Sequence, residues 1–352
     1  MRSIFFWEAA GLSLTDANPY GGLLARGLAR AGVELLAGHA EEFDQAWVRA
    51  NRGRVDVLHL NWPHYMYDAP DLAGRVVRAA AMIDNLALAR ELGYKVVWTV
   101  HNLFPHESST PDLDRLVRLA ITQLASAVIT HCDYARRLVQ HHFHRSEGVV
   151  VIPHGHFMDV YPNTLPRQSA RQRYGIEEDH FVYLFFGNVR PYKGLEKLVE
   201  VFCALPGDHL RLLLAAKVYN DYGDRFVEAA RQSDPRIIVQ PSRFFANGEF
   251  QHFFNAADVT VLPFVDVLTS GSAITALGFG MPLITPAVGC LPELVDNTMG
   301  ILYDPHQPGA LQEAMVAIQT REQPAMRNAA FQRALSLDWD EIGRRTLLAY
   351  KQ

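Results

Sequence analysis

The residues best suited to chemistry are two cations in the stretch Phe185-Phe186-Gly187-Asn188-Val189-Arg190-Pro191-Tyr192-Lys193-Gly194. The apolar run Phe181 to Phe186 predicts a buried parallel strand, Gly187 breaks it, and Leu195, Leu198, Val199 and Phe202 begin a helical pattern. Arg190 and Lys193 therefore fall on a strand-to-helix turn, at the edge of a sheet where α/β proteins bind ligands. A planar guanidinium fork beside an ammonium point charge suits a diphosphate, although a solvated basic turn has the same composition. The second stretch is Leu262-Pro263-Phe264-Val265-Asp266-Val267-Leu268-Thr269-Ser270-Gly271-Ser272. A strand ends at Pro263 and a helix begins near Ser270, with hydroxyls on Thr269, Ser270 and Ser272. Gly271 lets backbone N–H groups approach a ligand closely, so this helix start is a ready anion site as well as an ordinary N-cap. The two stretches together describe a diphosphate held from two sides.

The elements that must position these residues alternate between strand and helix along the whole chain, which predicts parallel sheets covered by helices on both faces. In the first half strands are expected at Ile4–Trp7, Val33–Leu36, Val55–Leu60, Lys95–Val100, Ala127–Thr130 and Val149–Ile152. In the second half they are expected at Phe181–Phe186, Leu210–Ala216, Arg236–Gln240, Val259–Pro263, Leu283–Thr285 and Gly300–Tyr303. The expected organisation is α/β, with two doubly wound Rossmann-like domains facing across a cleft. Residues 1–158 form the N-terminal domain, 159–180 a linker, 181–335 the C-terminal domain, and 336–352 a C-terminal helix that can cross back. With 352 residues there is enough chain for two such cores. The net charge of −5 gives no reason to expect nucleic acid as the main partner. Three cysteines, far apart and odd in number, argue against a disulfide framework and for a reducing compartment. No apolar run is long enough to span a bilayer, so a cytoplasmic protein, at most peripheral to the inner face of the membrane, is expected.

The order Phe186-Gly187…Arg190…Lys193-Gly194, Ala256-Ala257-Asp258-Val259…Leu262-Pro263, Gly280-Met281-Pro282 and Gly289…Pro292-Glu293 resembles the nucleotide-sugar glycosyltransferases of the two-Rossmann (GT-B) fold, in particular the group 1 or family 4 set. Asn18-Pro19-Tyr20, Thr99-Val100-His101-Asn102, Ile152-Pro153-His154-Gly155 and the terminal Trp339…Tyr350 segment fit the same resemblance. It implies a nucleoside-diphosphate sugar held by the C-terminal domain and a carbohydrate or lipid-linked acceptor held by the N-terminal one. Transfer without a metal or other cofactor is implied, in polysaccharide or glycoconjugate synthesis. A sugar-nucleotide epimerase of the same fold and a non-catalytic sugar-nucleotide binder are the alternatives.

One departure from the family pattern bears on mechanism. Retaining members usually carry a pair of glutamates, and here those positions hold Val267 and Thr275. Thr275 can hydrogen-bond a ribose but not as a charged bidentate acceptor, and Asp266 can take the first role only with a one-residue shift. An inverting reaction is therefore preferred, which needs a general base. His101, after strand Lys95–Val100, is the first candidate because imidazole titrates near working pH; a hydrogen-bonded structural histidine is the competing reading. Asp16 and Glu107 are the other candidates. Asn18, Tyr20, Gly21 and Gly22 form a turn near the expected meeting point of acceptor and diphosphate, Asn102 adjoins His101, and His64 is placed in the acceptor pocket. Phe244 and Phe245 are read either as walls of a nucleobase pocket or as core. His141, His142 and His144 lack the neighbours of a metal site. With Arg136, Arg137 and Arg145 they form a helix end that is either solvated or in contact with anionic lipid.

Overall fold

A computed structural model describes residues 1–6, 11–15, 18–105 and 107–352. Twelve short apolar runs become strands, all paired in parallel. The first six are β1 (Arg2–Phe6), β2 (Glu34–Gly38), β3 (Val57–Leu60), β4 (Lys95–Val100), β5 (Ala127–Thr130) and β6 (Val149–Val151). They lie in the order β2-β1-β3-β4-β5-β6. The second six are β7 (Phe181–Asn188), β8 (Leu210–Lys217), β9 (Ile237–Ser242), β10 (Val259–Val261), β11 (Leu283–Pro286) and β12 (Gly300–Tyr303), in the order β12-β11-β10-β7-β8-β9. Every expected strand is present, with ends shifted by a residue or two. In each sheet the winding reverses at one place, between β1 and β3 and between β7 and β10. Open parallel sheets bind ligands outside the carboxyl ends of their strands at such a reversal.

The chain divides into two units, Met1–Gly155 with Leu337–Gln352, and His156–Ser336. Helices on both faces bury β7 and β8 almost completely, so these strands read as unbroken apolar runs. Each fully buried Leu, Val or Phe there contributes about 1.5–3 kcal/mol.

Residues 159–180, expected as a linker, instead fold onto the second unit. The helix Arg167–Gln172 brings Arg171 into the interior, where its guanidinium donates to the carbonyls of Ala256, Glu177, Glu178 and His180 and to Asp258 at 2.9 Å. Nothing in the local pattern of that stretch announces a buried arginine, because every one of these partners lies outside its own helix. Helices fill the connections between strands as the alternation requires, among them Asp221–Ser233, while Gln45–Ala50 and Phe250–Ala256 are too short to display a period.

In the first unit the C-terminal helix Trp339–Tyr350 lies against the helix Tyr20–Arg30, and two glycines set how closely they approach. A Cβ on Gly343 would lie 2.2 Å from the carbonyl oxygen of Gly27, and one on Gly27 would lie 2.2 Å from that of Trp339. Both obstacles are backbone and cannot rotate away. Gly343→Ala should therefore cost about 1–3 kcal/mol by forcing the helices apart. A lowered urea midpoint for the first unit is the expected result, and an unchanged midpoint would refute the close-packing account.

Candidate functional site

At the carboxyl edge of the second sheet, three loops are clipped together through backbone that only glycine permits. Gly194, at φ +68°, ends the turn after β7, and a Cβ there would lie 2.1 Å from the carbonyl oxygen of Pro263. The Val265 N–H then donates to Tyr192 O at 2.9 Å. Gly289, at φ +57°, does the same for the loop after β11, where a Cβ would lie 2.1 Å from Val267 O. The Cys290 N–H donates to Leu268 O at 2.9 Å. The loops after β7, β10 and β11 thus hold one another in place.

Within this clip Lys193 is buried, with its Nζ 4.4 Å from the ring centroid of Phe264 and 5.1 Å from that of Tyr192. Burial lowers its ammonium to about 8, and no carboxylate among the described residues offsets that loss. Arg190, half-buried, precedes it on the same turn. A third cation was missed in the sequence: Lys217, which ends β8 opposite Asn188. Its Nζ sits 5.7 Å from the Phe244 ring centroid and 5.9 Å from that of Phe250, and burial lowers its pKa too. A lysine closing the apolar run Leu210–Ala216 was the available signal, since strand ends at this edge are where ligands sit. Phe244 is exposed beside it, whereas Phe245 is core.

The helix Gly271–Gly278 starts at the same edge. Ser270 caps it, accepting from the Ala273 N–H at 3.1 Å. Gly271 is exposed and Ser272 half-buried. A Cβ on Gly187 would lie 3.2 Å from Ser272 Oγ, so the helix start abuts the end of β7. Thr269 is half-buried just before the cap. The structure accordingly gathers Arg190, Lys193, Thr269, Ser270, Gly271 and Ser272 at the β7–β10 reversal. Two expected members fall elsewhere. Asp266 projects into solvent, because its neighbour Val267 is the residue packed against Gly289. Thr275 is buried, donates its hydroxyl to Gly271 O at 2.8 Å, and lines a cavity of about 310 Å³ with Phe157, Tyr161, Phe279 and Phe331. Its hydroxyl proton is held by the turn of helix preceding it.

In the first unit His101 follows β4 and is buried. Its Nε2 lies 2.8 Å from the Asn61 amide and its Nδ1 3.2 Å from His131 Nε2. The ring stacks on Trp62 at 4.0 Å and meets the edge of Tyr20 at 4.6 Å. The tautomers follow from the far end of this chain. His131 Nδ1 faces the Ile152 carbonyl at 2.9 Å, an acceptor, so it carries the proton and its Nε2 accepts from His101. His101 Nε2 then accepts, so the Asn61 amide, whose Oδ1 is placed at 2.8 Å, must be turned over to present its nitrogen and supply the proton. That assignment also gives a partner to Asn61 Nδ2, which is buried and otherwise lacks one. Burial, then the neighbouring His131, His154 and His59, hold the His101 imidazolium far below its usual range. Burial likewise lowers His131 to about 4 and His59 and His154 to about 3. These rings are neutral. A general base at His101 is not supported by this geometry, since both its nitrogens are already engaged.

The other first-unit candidates have mixed outcomes. Asp16 lies outside the described residues. Glu107 is exposed with φ +58°, and Asn102 is half-buried. Tyr20 is packed among His101, His154 and Trp339, and Asn18 Oδ1 accepts its N–H at 3.1 Å. Gly21 and Gly22 are packing residues: Cβ atoms there would lie 2.5 and 2.6 Å from the carbonyls of Gly11 and Leu12. His64 sits on the turn Pro63–Met66, half-buried beside Tyr65.

Among the described residues one trio, Glu177, Asp179 and His180, has ligand atoms close enough for a metal, but His180 Nδ1 already accepts the Glu177 N–H and its Nε2 faces Arg211 at 2.9 Å. At the helix end Asp133–Phe143, Arg145 is turned inward to the carbonyls of Thr122, Ala125 and Ser126, and Arg136 pairs with Asp133. That leaves a weaker basic surface than the sequence suggests. No helix among the described residues is long and apolar enough to cross a membrane.

Residues 180–321 match the family described as glycosyl transferases group 1. A GDP-mannose:glycolipid 4-β-D-mannosyltransferase of Xanthomonas campestris pv. campestris is 28% identical over 240 residues, covering 66% of this chain and 62% of that protein. Sucrose-phosphate synthase from Thermosynechococcus elongatus superposes with a TM-score of 0.77 at 18% identity, covering 100% of this chain and 98% of the other. Anabaena Alr3699/HepE, in complex with UDP and glucose, superposes with a TM-score of 0.72 at 16% identity, covering 100% and 99%. These structural likenesses establish the fold.

The buried imidazoles predict acid sensitivity. Each folded pKa lies below the unfolded value of 6.5, so the unfolded state binds protons first as pH falls. Stability is complete above about pH 6.5 and declines from there toward pH 4, by on the order of 1–2 kcal/mol per ring at pH 5. Denaturant midpoints that match at pH 7 and pH 5, or ring NMR signals that titrate near pH 6.5, would contradict the neutral chain.

Proposed function

Because the chain belongs to the group 1 glycosyl transferases of the GT-B fold, we propose that it moves a sugar from a nucleoside-diphosphate sugar to a carbohydrate or lipid-linked acceptor. The setting is polysaccharide or glycoconjugate synthesis in the cytoplasm, with any membrane contact peripheral. The observation that carries the reading is Lys193, a cation held in an aromatic enclosure, with no carboxylate among the described residues offsetting its burial. Burying a charge is costly unless an anion completes the site. A diphosphate between Lys193, Arg190 and the N–H groups at Gly271 and Ser272 would do so. The same contacts strengthen as charge develops on the leaving diphosphate, which is where fixed donors assist transfer. Phe244, exposed above Lys217, is the surface on which the nucleobase stacks in this reading.

The reaction is read as inverting, on the strength of Val267 and Thr275 at the positions of the charged pair. With His101 bonded at both nitrogens, the base falls to Asp16 or Glu107. The anomeric configuration of the product, read by NMR, decides: retention would remove the need for a base.

Two outcomes are expected. Arg190→Ala and Lys193→Met should each weaken nucleoside-diphosphate binding by about 1.5–3 kcal/mol in calorimetry. Lys193 is largely neutral above about pH 8 in the free protein, so binding there should take up a proton and affinity should fall as pH rises. Unaltered affinity in both variants would place the donor elsewhere. Secondly, transfer should continue in EDTA, because the protein's own cations neutralise the leaving group. Activity abolished by EDTA and restored by Mg²⁺ or Mn²⁺ would overturn the metal-free account.

A further inference from the structure

The first unit contains a second concavity, of about 720 Å³, within the size range of small-molecule sites. It opens at the carboxyl edge of β2 and β3, between the segment around Glu41 and Phe43 and the turn bearing Tyr65 and Met66. Phe43, Met66 and Met82 make an apolar floor, while Glu41 and Arg78 stand exposed at the rim. Its wall is rigid. Tyr67, next to Met66, is bonded through its hydroxyl to buried Asp114 and lies 3.3 Å from a guanidinium nitrogen of buried Arg118. Arg78 is held by the Asp68 carbonyl at 2.7 Å.

The helix Leu72–Glu91 supplies Arg78, Ala81 and Met82 to this cavity, and its outward face is unusual. Leu72, Val76 and Val77 are 59%, 46% and 68% exposed, and Ala73 and Ala80 on the same face are exposed as well. Single exposed apolar residues need no explanation, but a continuous strip over more than two turns does. Helical spacing puts Val77 beside Ala81, so the strip begins at the mouth of the cavity and runs away from it.

A carboxylate, a guanidinium and the half-exposed ring of Tyr65 are groups that hold a hydroxylated ring by its hydroxyls and its C–H face. The strip beyond them suits an aliphatic chain. We propose that this cavity binds an amphipathic glycoside as the sugar acceptor, its sugar against Glu41, Arg78 and Tyr65 and its alkyl chain along Val77, Val76 and Leu72. The proposal rests on the reading of the protein as a glycosyltransferase, and it selects the lipid-linked acceptor over the free carbohydrate. It also assigns the chain-binding surface to this helix and not to the histidine-rich end of Asp133–Phe143.

The test uses the full chain with n-octyl β-D-glucopyranoside below its micelle concentration, compared with methyl β-D-glucopyranoside, by calorimetry or ligand-observed NMR. The octyl glycoside should bind at least about tenfold more tightly, the effect of burying roughly two methylene groups. Val77→Glu and Val76→Glu, both at exposed positions, should remove that gain and leave methyl glycoside binding unchanged. Arg78→Ala and Glu41→Gln should weaken both ligands. Equal affinities for the two glycosides, or a chain preference that survives Val77→Glu, would overturn the proposal. So would binding to phosphatidylglycerol vesicles without binding of the monomeric glycoside, since the strip would then be a membrane surface. Nucleoside-diphosphate binding, measured in the same samples, reports separately on the proposed transferase activity: its loss in the wild-type protein would sink that reading, whatever the glycosides do.

Discussion

The carbonyl of Pro263 lies so close to Gly194 that no side chain fits between them, and much of the second unit follows from that approach. It requires a positive φ at Gly194, which only glycine takes without strain. That φ ends the turn carrying Arg190 and Lys193 and opens the following helix. With Gly289 repeating the arrangement against Val267, three loops from three strands are fixed without a dedicated core of their own. Preorganisation of this kind matters for an anion site. Donors that are already in place cost no reordering when charge arrives.

The two units treat buried ionisable groups in opposite ways. In the second, burial lowers the Lys193 ammonium to about 8, and no carboxylate among the described residues offsets that loss. In the first, burial drives His59, His101, His131 and His154 to the neutral state, and hydrogen bonds to Thr99, Asn61, Ile152 and Gly155 absorb their polar atoms. His59 extends the pattern to the C-terminal helix through Tyr350, whose hydroxyl lies 2.8 Å from its Nδ1. A satisfied polar network of this type specifies a unique packing. Trp62, in a left-handed conformation at φ +42°, is stacked on His101 and so is held in a strained geometry by the same cluster. Such strain at the end of a strand beside a sheet reversal is characteristic of positions that face ligands.

The amino-acid sequence by itself determined all twelve strands, because parallel strands buried on both faces are written as continuous apolar runs with glycine, proline or charge at their ends. It also brought out the cationic edge of the second sheet, since Arg190, Lys193, Ser270, Gly271 and Ser272 belong to two short stretches whose local turn chemistry is self-contained. What remained hidden depended on residues distant in the chain. Arg171 reads as a surface arginine until Ala256 and Asp258 close around it. Lys217 joins the cations only because β8 pairs with β7 in a register that sets it opposite Asn188. His101 reads as a base from its residue type and strand position, and only the folded first unit supplies the burial and the neighbouring histidines that keep it neutral. Thr275 is one helical turn from the diphosphate edge in sequence, yet the angle of its helix turns it to another cavity. Strand and turn identities arise from interactions over a few residues, whereas burial, protonation and the direction a side chain faces are set by neighbours that only the tertiary structure brings near.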